Sequence, residues 1–183
     1  MKYLKIALFI LSFFILNSCL PQLNMLEIEK KINEYNSASF KGDIEYQIKN
    51  TPKEYLNKNS ISSIREKFDN IYNNRKFPMG YSNIGELEVQ KQGKCNSSSY
   101  YKVEYKVTTA QMTPYLDASA LEFNYSKYGK ENVSFNPNSK ILHITKQDTK
   151  ILIYDSDGEW KILNLDKKTL NQYFGNNFFN CIE

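Results

Sequence analysis

The clearest pattern in the chain has a period of two. Tyr101, Val103, Tyr105, Val107 and Thr109 alternate with Lys102, Glu104, Lys106 and Thr108. This predicts a strand with one buried and one wet face. A run of that length fits an antiparallel sheet better than a parallel one, whose strands are apolar on both faces. Nearer the C-terminus, Lys140 to Lys146, Lys150 to Asp155 and Glu159 to Leu165 read as three successive strands. The last two are joined through Asp157-Gly158, a strong hairpin signal. Glu86 to Gln90 alternates weakly, Gln92 to Ser99 reads as a loop, and Val133 to Phe135 reads as a short strand before the turn Asn136-Pro137-Asn138.

The first third of the chain has a helical period instead. Asn24 with Glu27 makes a capping-box pattern, and Met25, Ile28, Ile32 and Tyr35 follow at 3-4-3 spacing. Gly42 is placed to stop that helix. Asp43 caps a second, short helix carrying Ile44 and Ile48, and Pro52 opens a turn holding Tyr55 and Leu56. Ser60 opens a helix whose Ile61, Ile64, Phe68, Ile71 and Tyr72 share a face; Asn73 to Ser82, with Pro78 and Gly80, reads as a connection. Asp117 to Tyr128, ended by Gly129, and Asp166 to Phe174 complete the predicted helices, leaving an asparagine-rich tail. Helices first and mostly antiparallel strands afterwards predict the α+β class. Helices laid across a curved antiparallel sheet would form a cone with a cavity at its open end.

Met1 to Cys19 stands apart from this pattern. Lys2 and Lys5 precede eleven residues, Ile6 to Leu16, that are apolar except for Ser12. The run is too short to span a bilayer, which takes about twenty residues, and suits the core of a secretory signal. Leu16, Ser18 and Cys19 then resemble the end of a bacterial lipoprotein signal, from which Asn17 departs. The resemblance implies cleavage after residue 18 and acylation of Cys19, including palmitate. Two or more acyl chains hold a protein stably on a membrane. The expected organisation is a signal peptide over 1–18, a tether over 19–23 and one domain over 24–183. The expected location is the cell envelope, with the domain facing the periplasm or the exterior.

Losing residues 1–18 removes two lysines and no acid, so the formal charge falls from +4 to +2. A nearly neutral, evenly spread charge argues against nucleic acid as a partner. The 14 tyrosines and 11 phenylalanines point to an aromatic core. Cys95 and Cys181 remain once Cys19 is acylated. An exported protein meets oxidising conditions, so they either bridge the tail to a polar loop or stand as two thiols. With a single histidine elsewhere they fall short of a four-ligand metal site, and no metal or other cofactor is expected.

The chemistry-bearing residues are few. His143 is either a general base in the cavity or a strand residue on the less buried face, and the second reading is favoured because no orienting carboxylate is placed beside it. Asp43 reads as a helix cap rather than a cavity acid. Trp160 and Tyr154 either line a ligand site or pack in the core. Lys146, Lys150, Lys161, Lys167 and Lys168 read as solvated faces rather than as an anion-binding surface. Asp155-x-Asp157-Gly158 lacks the further ligands of a calcium loop, so a turn is expected. The candidate cavity lining is Tyr101, Val103, Tyr105, His143, Tyr154 and Trp160, and no residue is assigned a catalytic role.

Four segments together carry a family resemblance: Lys41-Gly42-Asp43; Pro52 to Leu56; Tyr128 to Val133; and Tyr154 to Asn164 around Trp160. They resemble small exported proteins of the NTF2-like (SnoaL-like, cystatin-like cone) superfamily over roughly Met25 to Phe174. Each motif is a turn with a hydrophobic pattern, and none carries chemistry. The superfamily includes enzymes, transport factors and subunits that oligomerise through the sheet, so fold alone does not decide function. The expectation is a non-catalytic domain binding a small molecule or a protein. The alternatives are an acid–base enzyme of the isomerase or dehydratase kind working in the cone, or a homodimer formed through the sheet.

Overall fold

The computed structural model describes residues 22–73, 79–95, 98–175 and 177–183. Residues 1–21, with Cys19 and the predicted signal, lie outside them, as does Pro78. The fold is α+β, with helices mostly N-terminal and packed on a strongly curled antiparallel sheet.

The first helix, α1, covers Met25–Lys41. Asn24 accepts from the Glu27 amide at 2.9 Å while Glu27 accepts from the Asn24 amide at 2.8 Å, the reciprocal cap the sequence predicts. Gly42 ends the helix at φ 77°, a left-handed conformation that costs glycine little. Short helices α2 (Ile44–Lys49) and α3 (Lys53–Lys58) follow, then α4 (Ile61–Asn73). Asp43 caps α2 through the Tyr46 amide. The cap of α3 comes from far along the chain: the buried Asp155 carboxylate accepts the Lys53 amide at 2.9 Å.

The sheet is built from β1 (Met79–Cys95), β2 (Ser98–Met112), β3 (Val133–Asn136), β4 (Ile141–Tyr154) and β5 (Trp160–Asn164). The order is β1-β2-β4-β3, and β5 pairs with the same edge of β4 that β3 uses further down. Helix α5 (Ala118–Tyr128) and a 3-10 turn over Lys130–Asn132 interrupt the strands. The β4–β5 hairpin closes through Asp155 to Gly158, with Gly158 at φ 81° and its amide bonded to the Asp155 carbonyl.

Two expectations about strands are corrected. The loop expected over Gln92 to Ser99 is ladder on both sides, since Gln92 pairs with Tyr101 and Cys95 with Ser98. Its side chains are polar because β1 is an edge strand with much of its length exposed. Likewise, Lys140 to Lys146 and Lys150 to Asp155 are one continuous strand. The polar residues Gln147, Asp148 and Thr149 pair with Lys106, Tyr105 and Glu104 rather than turning.

The strict alternation of β2 and β4 gives the sheet two different faces. On the concave face, Tyr101, Val103, Tyr105, Val107 and Leu152 pack with Trp160 and Ile162 against Ile28 and Ile32 of α1. On the opposite face, Tyr100, Ile151, Ile153 and Leu163 meet helices α6 (Lys167–Phe174) and α7 (Phe178–Ile182) through Leu170, Phe178 and Ile182. The tail after Gly175 is therefore a packed helix, because Phe178 and Ile182 are wholly buried there. Cys95 is bonded to Cys181 at a Cα separation of 6.1 Å, inside this second core. The bond closes a loop of 86 residues, and closing a loop of that size restricts the unfolded chain substantially. Replacing Cys181 by serine should lower the unfolding free energy by about 2–4 kcal/mol. Urea denaturation of the parent chain should show a matching loss when reductant is added, and a midpoint indifferent to reductant would contradict the bridge's role.

Candidate functional site

Beyond the Ile28–Ile32 contact the concave face stops being apolar. The second half of α1 turns Tyr35, Asn36, Ser39 and Phe40 toward the sheet. Opposite them stand Val107 and Thr109 of β2, Lys146, Asp148 and Lys150 of β4, and Asn164 of β5. These residues line a cavity of about 350 Å³. Register explains the grouping. Tyr105 lies across from Asp148, Val103 from Lys150 and Val107 from Lys146, so all six side chains share one face. Asn164 is brought beside Lys150 by the β4–β5 pairing.

The wall is one connected hydrogen-bond system. Asn36 donates to the Tyr105 hydroxyl at 3.1 Å, and that hydroxyl donates to Asp148 Oδ2 at 2.9 Å. Lys150 Nζ donates to the same oxygen at 2.8 Å and to Asn164 Oδ1 at 2.7 Å. The other Asp148 oxygen accepts the Thr149 amide at 3.0 Å. Lys150 also lies 5.8 Å from the centre of the Tyr35 ring, within reach of a cation–π attraction. Lys150 is 6% exposed and Tyr105 is fully buried.

Burial acts on each ionisable member, and the neighbours decide the outcome. Burial alone would raise the Asp148 carboxyl, but the Lys150 ammonium and the hydrogen bonds from Lys150 and Tyr105 outweigh it and hold the group below its ordinary value. Burial lowers Lys150, while Asp148 opposes that shift. Burial first, and then the Asp148 charge, push the Tyr105 phenol far above its ordinary value, so it remains a protonated donor. The carboxylate thus has its lone pairs engaged by an ammonium, a phenol and an amide. The cavity offers donors and a net positive wall, with Lys146 adding a second ammonium near the mouth. That chemistry suits holding a polar ligand more than moving a proton.

The sequence-predicted lining residues separate into three places. Tyr105 stands behind the cavity wall, bonded to two residues that line it. Tyr101, Val103, Tyr154 and Trp160 lie toward the other end of the concave face. There Val103 is core, Trp160 sits 5.0 Å from Tyr101 and 5.4 Å from Tyr154 between ring centres, and Tyr101 and Trp160 border a smaller depression. His143 is on the opposite face, across from Ala110 and Ser134, and does not reach the cavity. Lys150 and Lys161 are buried rather than solvated. Lys161 donates to the Lys49 carbonyl at the end of α2 and pairs with Asp157. Asp43 and the Asp155–Gly158 segment are a cap and a turn, as the sequence suggests. Among the described residues no group of three or more His, Cys, Asp or Glu is placed to hold a metal, and no helix is long and apolar enough to cross a membrane.

Asn36, Asp148, Lys150 and Asn164 were not legible as a site. The available signal was the polar interruption Gln147-Asp148-Thr149 between two apolar strand segments. Comparison with protein-family models finds none that matches the chain, and comparison with curated proteins finds no match.

The pair can be tested through acid unfolding. The folded Asp148 carboxyl lies below its unfolded value of about 4. Its contribution is therefore complete above about pH 4 and is lost as pH falls through the depressed value. Lys150→Met removes the main opposing charge, leaving burial to raise Asp148. The acid transition should move to higher pH, and stability near neutrality should fall by about 3 kcal/mol. Circular dichroism followed against pH and urea checks both. An unchanged acid limb would mean that Asp148 and Lys150 are not coupled in solution.

Proposed function

We propose that the chain is a cell-envelope lipoprotein, held by acylated Cys19, whose NTF2-like cone binds a small polar molecule without transforming it. The observation that carries this reading is the Tyr105–Asp148–Lys150 system on the wall of a cavity about 350 Å³ in volume. Burying an ammonium against a partly buried carboxylate is costly, and well-packed apolar residues would often serve stability as well or better. Retaining such a pair beside an accessible, largely polar cavity suits recognition, because polar groups held in fixed positions orient a ligand. The helices laid on a curled antiparallel half-barrel support the cone reading. The signal pattern of residues 1–19 supports the anchor.

An acid–base enzyme would need a free base in the cavity. The histidine is on the other face, and the carboxylate is engaged by its neighbours. Native mass spectrometry of the chain extracted gently from its own membranes tests the proposal. Expected are a chain beginning at acylated Cys19 and a retained small-molecule mass that disappears in Asp148→Leu/Lys150→Met, a variant that should keep the fold. Turnover on a panel of hydrolase and isomerase substrates, abolished by Asp148→Asn, would overturn the binding-only reading.

A further inference from the structure

The smaller depression beside Tyr101 and Trp160 has a location that matters. It is about 210 Å³ and is bordered by Gln22, Gln92, Gly93, Tyr100, Tyr101 and Trp160. Gln22, at this pocket's rim, lies just ahead of α1. The next residue is already tied down, since the Leu23 amide donates to the Tyr101 hydroxyl at 3.1 Å. Cys19 is three residues before Gln22. Even fully extended, that stretch reaches at most about 11 Å.

We infer that this aromatic pocket seats the lipid carried by Cys19, taking its glyceryl group and the first methylenes of an acyl chain. The inference rests on the proposed acylation. The domain is then clamped to the bilayer rather than hung from it. Size sets how much lipid enters. A pocket of about 210 Å³ is too small for a whole acyl chain, so the rest of each chain stays in the membrane. Chemistry matches the level of the bilayer where ester groups lie: Tyr101 and Trp160, side chains of the kind favoured at membrane interfaces, form the inner wall, and Gln22 and Gln92 provide amides. Leu26 and Met25, in the first turn of α1 and therefore close to the same rim, are exposed at 77% and 49%. They would meet the interface beside the seat.

Trp160 is the only tryptophan, so its emission reports on this pocket alone. The full chain, processed in bacterial membranes, is placed in vesicles of phosphatidylethanolamine and phosphatidylglycerol, with bromine on the acyl chains near their ester end. Intact mass is recorded first. The expected result is an acylated chain whose emission falls at least twofold relative to vesicles without bromine. Inserting eight Gly/Ser residues before Gln22 should leave most of that quenching, because a seated lipid holds the pocket down whatever the tether length. Gln92→Phe should remove most of it with the anchor mass unchanged. Gln92 pairs with Tyr101, shares its face and borders the pocket at an exposed position, so a larger side chain there fills the pocket without entering the core. Quenching that vanishes on insertion, or that survives Gln92→Phe, would overturn the seat. So would an acylated chain with unquenched Trp160, while leaving the lipoprotein reading intact. A chain without acyl mass would overturn the lipoprotein reading itself.

Discussion

Thirteen consecutive residue pairs join β2 to β4 without a register shift, and the rest of the molecule depends on that ladder. Side chains alternate strictly across a strand, so a slip of one residue would exchange the two faces completely. With the register as it stands, Tyr105, Asp148 and Lys150 meet on the side that α1 covers, while Ile151 and Ile153 go to the side covered by the C-terminal helices. A slip would bury Gln147 and Thr149 beneath α1 and turn Leu152 away from Ile28 and Ile32. The two apolar clusters thus select the register together, and the register then builds the polar wall.

Each face is closed by a different device. The concave side relies on α1, whose entrance is fastened by the Asn24–Glu27 cap and by the Leu23–Tyr101 bond. The opposite side relies on a tail too short to hold itself: α7 covers only Phe178–Ile182, and an isolated helix of that length is not stable in water. It is kept in place by burying Phe178 and Ile182 and by the Cys95–Cys181 bond, which ties it to the end of β1. Both cores include residues of β4 between Lys150 and Tyr154, so this end of the strand is buried on both faces. The other end of β4 is more exposed, and the cavity lies between the two regimes.

What was legible in the sequence follows from how local each signal is. Asn24, Asp43, Ser60, Asp117 and Asp166 announce helix starts by chemistry confined to one turn, and all five bond the amides expected of them. The β2 alternation is equally local. The course of β1 was harder to read because its ladder shifts between Tyr81 and Asn83, Ile84 and Leu87, and Val89 and Lys91. Each shift resets the parity that a period of two relies on and bends the strand. The site was least legible for a deeper reason. A polar residue facing an internal cavity and a polar residue in a turn look alike in one dimension. Asp148 between Gln147 and Thr149 imitates a link, and only pairing with Tyr105 on a neighbouring strand shows that it points inward.

The same geometry relates the proposed anchor to the cavity. Met25 opens α1 just after Leu23, and Asn36 lies eleven residues further on, which at 1.5 Å per residue is about 16 Å along the helix. The aromatic pocket and the polar cavity therefore lie at opposite ends of one rigid element, separated by the Ile28–Ile32 contact with Tyr101, Val103 and Leu152. A lipid held at the first end does not compete with a ligand at the second. Tension at the proposed anchor would be borne by the capped start of α1 and its apolar middle before it reached Asn36. A domain fastened close to a membrane can in this way keep a binding cavity undistorted, provided α1 stays docked along its whole length. The apolar contact between the two sites would then make the proposed anchoring and recognition compatible.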